Sequence, residues 1–383
     1  MSPLLQIIAS PGDSWHDETL TVTNTSTARI EVPVRWRAGD GSVWSGTIAV
    51  PPGSHDADAL GLFSSLEETS PGDEGLPVEA AVDPVHVTVG TATVVRRWTA
   101  SQMERVLADG LDGYLFLPPG PYPRSAVVCL PGSGGGYDMQ TAPLLARHGF
   151  VVLSLAYYGV NALPPDLVEI PLEYVGQAFE WVSSHPLVSG RSVGAVGRSK
   201  GGELALLAGA FFPVVRAVVG YVPSGQMHGW KVGTETRACW TLGGNPLPFT
   251  PQRRRGSFGP EGRLAIRAAY ESTIDHPADI ERTAIPVERT RGDVLVISGG
   301  RDQVWPSTRF CELLVARCPR VRHLSYPDAG HAISVPNQPR RPRGNAFFED
   351  GGTPEADAYA SRDSWPQVVS FLHQALAWPG EPG

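Results

Sequence analysis

The chain has 383 residues, a formal net charge of −8, 42% apolar and 18% charged residues, with 43 Gly and 36 Pro. At about 150 residues per domain this length suggests two or three domains, and the apolar content excludes wholesale disorder. The acidic balance argues against a general nucleic-acid binder; Lys200 and Lys231 are the only lysines, so every other basic side chain is arginine.

The N-terminus carries one short apolar run, Leu4 to Ala9, with no positive region before it, which reads as a strand rather than a secretory signal. Up to about residue 100 the chain offers Thr19–Asn24, Ile30–Arg37, Ser42–Val50 and Val85–Trp98. These segments alternate apolar and polar residues or are rich in Val and Thr, and turn-forming clusters such as SPGD and PPGSHD separate them. Short strands at such spacing predict a small antiparallel β-sandwich over residues 1–100.

From about residue 112 the pattern changes. Strands are expected at Gly113–Leu117, Ala126–Leu130, Val151–Ala156, Ser192–Val196, Ala217–Val222, Val294–Ser298 and Arg322–Tyr326. Helices are expected at Met139–His148, Leu172–His185, Gly202–Ala210, Pro306–Ala316 and Ser364–Ala377. That alternation predicts an α/β domain over 101–383, with a mostly parallel sheet covered by helices. Residues 224–290, rich in Gly, Pro and Arg, interrupt it as an insertion. The longest apolar stretch, Leu204 to Val219, contains Pro213 and Arg216 and falls short of a membrane span. Cys129, Cys239, Cys311 and Cys318 form no zinc-like spacing and read as core thiols, which suits a reducing cytoplasm. No metal and no resident cofactor are expected.

Four loops carry chemistry. Gly197-Arg198-Ser199-Lys200-Gly201 follows an apolar strand and opens a helix. In such an elbow the serine projects from a sharp turn and sits at a helix N-terminus, where N–H groups favour an oxyanion. Leu130-Pro131-Gly132-Ser133-Gly134-Gly135-Gly136 follows an earlier strand and could donate a second N–H. The expected oxyanion donors are therefore the amides of Lys200 and of Ser133 or Gly134. The alternative, a phosphate cradle, lacks the lysine that a P-loop requires. Asp302 lies just past the Val294–Ser298 strand and His331 in the loop after Arg322–Tyr326, whereas Asp293 precedes its strand and belongs to the opposite sheet edge. The order Ser…Asp…His, each after its own strand, is that of an acyl-transferring serine triad.

These motifs together resemble the family of acyl-CoA thioesterases and bile acid-CoA:amino acid N-acyltransferases. The resemblance rests on LPGSGGGYDMQTAPLLARHGFVVLSLAYYG, VGRSKGGELALLAG, IPVERTRGDVLVISGGRDQVWPS and GHAISVPNQP. It implies an immunoglobulin-like N-terminal domain on an α/β-hydrolase domain, and an acyl-enzyme formed at Ser199 from a thioester, with Asp302 and His331 as triad partners. The transferases of that family resemble cysteine enzymes; a serine there favours hydrolysis, with transfer to an amine or alcohol as the alternative. The third class, a non-catalytic homologue, is disfavoured by the intact triad.

A small-molecule acyl-CoA, or an acyl chain on a carrier protein, is the expected partner; neither nucleic acid nor membrane is. Arg253, Arg254 and Arg255, and Arg340, Arg341 and Arg343, are candidates for the phosphates, and solvated loop charge is the alternative. Trp305 is a candidate either for the acyl pocket or for the core. Glu203, one turn beyond the nucleophile, reads chiefly as a helix-dipole partner, with assistance to the site as the alternative; Glu288 reads as a structural anchor, and Cys129 as a buried, poor nucleophile.

Overall fold

The computed structural model describes residues 5–9, 20–37, 43–56, 67–70, 85–89, 92–96, 102–250, 256–258, 262–336 and 348–378. The chain forms two compact units: one of residues 1–100, 335–347 and 354–362, the other of 101–334, 348–353 and 363–383.

The second unit is built on an eight-stranded sheet. In chain order its strands are β1 (Gln102–Val106), β2 (Asp112–Leu117), β3 (Arg124–Leu130), β4 (Val151–Ala156), β5 (Val188–Arg198), β6 (Val215–Tyr221), β7 (Asp293–Gly299) and β8 (Val321–Tyr326). Across the sheet they run β1-β2-β4-β3-β5-β6-β7-β8. Pairings from β4 to β8 are parallel, and β2 runs antiparallel to both β1 and β4. β4 is buried at every position, as is β3 after Arg124, because helices cover both faces. Such strands read as continuous apolar runs, which is why the sequence shows them plainly. β1 escapes that reading: QMERV is an edge strand that is largely solvated, so its composition is polar.

The helices are α1 (Thr141–Arg147), α2 (Leu172–Ser183), α3 (Lys200–Phe211), α4 (Arg267–Ile274), α5 (Pro277–Thr283), α6 (Ser307–Arg317) and α7 (Pro354–Leu376). α7 begins well ahead of its expected start at Ser364. Pro354 occupies its first position, where a missing N–H costs nothing, and Pro366 is accommodated inside it. This sheet order with flanking helices is that of an α/β-hydrolase domain.

Residues 224–290 are not a structureless loop. They hold a hairpin (Trp230–Val232 with Glu235–Arg237) and a short strand, Trp240–Leu242, that pairs in parallel with Ile170–Pro171. The segment also contains α4 and α5. Its interior is tied by a polar network: Gln226 Nε2 donates to Thr283 Oγ1 (3.2 Å), Thr273 Oγ1 donates to Gln226 Oε1 (3.2 Å), and Thr250 Oγ1 lies 2.6 Å from Thr283 Oγ1. All four side chains are fully buried, so each bond replaces lost water.

Among the described residues of the first unit are two antiparallel sheets. Leu5–Ala9, Leu20–Asn24 and Gly53–Asp56 form one; Glu67–Ser70, Val43–Val50, Ile30–Arg37, Val85–Val89 and Ala92–Arg96 form the other. Val32, Val34, Ile48, Val50, Val87 and Val89 are buried at alternating positions, the period-two signal of half-buried strands. The single run expected at Val85–Trp98 is instead a pair of strands in antiparallel register.

Candidate active site

β5 ends at Arg198 and α3 begins at Lys200, which leaves Ser199 to make the whole turn at φ 58° and ψ −120°. That left-handed backbone is strained for a non-glycine residue and persists because its surroundings fix it. A Cβ at Gly197 would overlap the carbonyl of Gly201, and one at Gly201 would overlap the carbonyl of Leu130. The two flanking glycines are therefore steric requirements of the turn. Ser199 N–H donates to the Tyr221 carbonyl (2.9 Å), which fastens the elbow to β6.

His331 and Asp302 arrive at the same edge from the ends of β8 and β7. His331 Nε2 lies 2.9 Å from Ser199 Oγ, and His331 Nδ1 lies 2.8 Å from Asp302 Oδ2. All three side chains are buried. Asp302 Oδ1 accepts the N–H groups of Val304 (2.9 Å) and Trp305 (3.1 Å), so both carboxylate oxygens are engaged. The acid's own carbonyl accepts from Arg267 Nη1 (2.7 Å), and the His331 carbonyl accepts from the Arg198 guanidinium. Through Arg198 the elbow thus braces the histidine loop. A neutral imidazole that donates from Nδ1 and accepts at Nε2 satisfies every contact, and this is the tautomer a general base needs.

The remaining histidines after Asp302 are accounted for elsewhere. His323 lies on β8 with Nε2 2.7 Å from Ser298 Oγ, and His373 stacks on Phe150 at 4.4 Å. Asp293 opens β7 at the opposite end of that strand from Asp302.

On the oxyanion side, the amide of Lys200 opens a helix, where N–H groups have no intrahelical acceptor. The loop after β3 turns back on itself, with Gly135 N–H donating to the Gly132 carbonyl (3.1 Å). Gly132 lies against the nucleophile: a Cβ there would stand 3.5 Å from Ser199 Cβ. Ser133 is half-buried and Gly134 exposed. The sequence points to the 132–135 loop, with Ser133 or Gly134 as donor, but a repeated glycine run does not say which residue approaches the nucleophile.

Trp305 is buried; its Nε1 donates to the Val222 carbonyl (3.0 Å), and its ring meets that of His331 edge-on at 5.4 Å. Arg253, Arg254, Arg255, Arg340, Arg341 and Arg343 lie outside the described residues. Glu288 is anchored to Arg317 by two bonds of 2.9 and 3.2 Å. Burial pushes the Cys129 thiol well up, which keeps it protonated.

Glu203 does lie in the first turn of α3, and it is fully buried there, bonded to Lys200 Nζ (2.9 Å) and Trp240 Nε1 (2.7 Å). Burial pulls the Lys200 ammonium down, but nearby Cys239 and Glu203 outweigh it, and the net shift is upward. Lys200 is therefore charged. Nothing in its spacing to residue 240 could have announced the contact.

Among the described residues, no cluster of His, Cys, Asp and Glu is arranged to hold a metal, and no helix is long and apolar enough to cross a membrane.

The geometry defines a member of the α/β hydrolases. Comparison with known proteins narrows the class: the family described as "BAAT / Acyl-CoA thioester hydrolase C terminal" matches residues 170–378, and the chain belongs to it. The chain is 35% identical over 285 residues to Acyl-coenzyme A thioesterase 1 of Homo sapiens, covering 71% of this chain and 65% of that protein. It is 29% identical over 317 residues to Acyl-coenzyme A amino acid N-acyltransferase 1 of Mus musculus, covering 78% and 72%. The chain thus spans just under two thirds of the length of the human relative. Among solved structures it is similar to a putative dienelactone hydrolase from Klebsiella pneumoniae, with 14% identity, a TM-score of 0.44, and 72% and 98% of the two chains covered.

Proposed function

We propose that this protein is an enzyme that hydrolyses an acyl thioester through an acyl-Ser199 intermediate. The observation that carries the reading is the continuous hydrogen-bonded line Ser199 Oγ–His331–Asp302 at one sheet edge. His331 Nε2 takes the Ser199 proton as Oγ attacks the thioester carbonyl, and Asp302 holds the imidazole and stabilises the imidazolium. The amide of Lys200 and the 132–135 loop receive the oxyanion; each such donor is worth about 10²–10³ in rate. The C–S bond breaks, His331 returns the proton to the departing thiolate, and water activated by the same histidine releases the acid.

Family membership and the thioesterase relatives support acyl-CoA as substrate, with a carrier-bound acyl chain as the variant. Coenzyme A enters only as a substrate moiety, and no other cofactor is proposed. Its phosphates suit Arg253, Arg254 and Arg255, whose planar donors match phosphate. The N-terminal unit is proposed as an immunoglobulin-like accessory domain, and the location as cytoplasmic. A second reading, transfer of the acyl group to an amine or alcohol, is favoured by the similarity to the mouse N-acyltransferase. Serine at the nucleophile favours water, because an oxygen ester is less readily aminolysed than a thioester.

The test is incubation with a panel of acyl-CoAs, with and without amines such as glycine and taurine, with products followed by mass spectrometry. Free acid and a trapped acyl group on the Ser199 peptide are expected. Ser199→Ala is expected to lose on the order of 10⁴–10⁶ in kcat; full turnover by that variant would sink the reading, and amide product would select transfer.

A further inference from the structure

The residue after the nucleophile does not turn toward solvent. Lys200 Nζ is buried and donates to Glu203 Oε2 (2.9 Å) and to the backbone carbonyl of His228 (2.8 Å). The other oxygen of Glu203 accepts from Trp240 Nε1, and Cys239 Sγ donates to the same His228 carbonyl (3.0 Å). The first turn of α3 is thus tethered at two places to the insertion.

The tether ends on the backbone carbonyl of His228, and the ring of that residue packs into the core beside it. It is fully buried, neither ring nitrogen has a hydrogen-bond partner, and it lies nearly parallel to Trp305 at 6.4 Å with a 29° tilt. Tyr270 and Phe310 close around it at 4.7 and 5.4 Å. Trp305 in turn bears on both partners of the serine: its ring meets His331 edge-on, and its amide donates to Asp302 Oδ1. A physical path therefore leads from Lys200, through His228 and Trp305, to the base and the acid.

We propose that Lys200 and Glu203 are positioning residues for the triad, acting through the His228–Trp305 stack to set the placement of His331 against Ser199. This inference rests on the proposed Ser199 chemistry. Two observations favour a geometric role over a stabilising one. Matched apolar residues would fill the same space without desolvating two charges, and buried pairs are weak evidence for stability. An ion pair that also clasps a backbone carbonyl and an indole, by contrast, fixes direction as well as distance. Because displacements of about 1 Å can cost about 10² in rate, such a brace acts on kcat.

The test is steady-state kinetics and thermal melting of the full chain, using a medium-chain acyl-CoA and p-nitrophenyl butyrate as probes. The variants are Ser199→Ala, the pair Lys200→Met/Glu203→Gln, His228→Ala and His228→Phe. The pair variant removes both charges together, leaving no lone buried charge. We expect it to melt near the parent while kcat falls about 10–100-fold and KM stays within about threefold. His228→Ala should lose about tenfold in kcat, and His228→Phe, which keeps a ring and the backbone carbonyl, should restore most of it. Parental kcat in the pair variant overturns the proposal, as does a loss confined to KM. If the pair variant fails to fold, equal activity of His228→Ala and the parent overturns it instead. A fully active Ser199→Ala would defeat the underlying chemistry; an inactive Ser199→Ala beside a fully active pair variant defeats only the brace.

Discussion

The elbow at Ser199 and the 224–290 segment meet through α3 but are held by different means. The elbow is a backbone object: Gly197 and Gly201 admit carbonyls where no Cβ fits, and Ser199 carries the positive φ between them. The insertion is a side-chain object, closed by Gln226, Thr250, Thr273 and Thr283 and fastened to α3 through Lys200, Glu203 and Trp240. Steric exclusion admits almost no substitution, whereas a hydrogen-bonded network loses its members one bond at a time. The difference teaches that the nucleophile sits on a rigid, locally encoded turn, whereas the segment packed beside it is held by bonds that can be removed one at a time.

This comparison can be broken from either side. Gly201→Ala should have the largest effect, because the added methyl meets the Leu130 and Pro131 carbonyls, which are backbone and cannot step aside. A loss of more than about 3 kcal/mol, or failure to fold, is expected in chemical denaturation. A near-parental midpoint would show that the elbow has slack. Thr283→Val should cost about 1–3 kcal/mol, since it strands the buried Gln226 amide and the Thr250 hydroxyl. If that variant matches the parent, the network is packing alone.

The smallest effect sharpens the contrast by pH. Burial, and to a lesser degree the Lys200 charge, hold the His228 imidazole well below its ordinary range, so the folded chain keeps it neutral. In the unfolded chain it protonates near pH 6.5. Its contribution is therefore fully present above that pH and is lost as pH falls, by up to about 1.4 kcal/mol per pH unit. Urea melts of the parent and His228→Phe at about pH 7.5 and 5.5 should show a shallower decline in the variant. Parallel declines would mean that the ring is not held neutral.

The legibility of the molecule follows the same division. Val151–Ala156 and Ile30–Arg37 are strands at the residues where their patterns place them. Ser199, Asp302 and His331 were legible because each follows its own strand in the order of a serine triad, and topology carries all three strand ends to one edge. The edge strand Gln102–Val106 was not legible, because a solvated strand lacks the apolar signature. The burial of Glu203 was not legible, because a carboxylate in a first helical turn looks the same whether it faces water or a buried ammonium.

The sequence by itself determined the α/β alternation, the elbow and the order of the triad, since these depend on local steric needs and on residues that follow strands. Only the tertiary structure decided that Lys200 points inward, that His228 is sealed against Trp305, and that Trp305 supports His331. Those relations join residues far apart in the chain, and they arise from burial, which leaves charges and imidazole nitrogens no solvent and makes their placement depend on the packing around them.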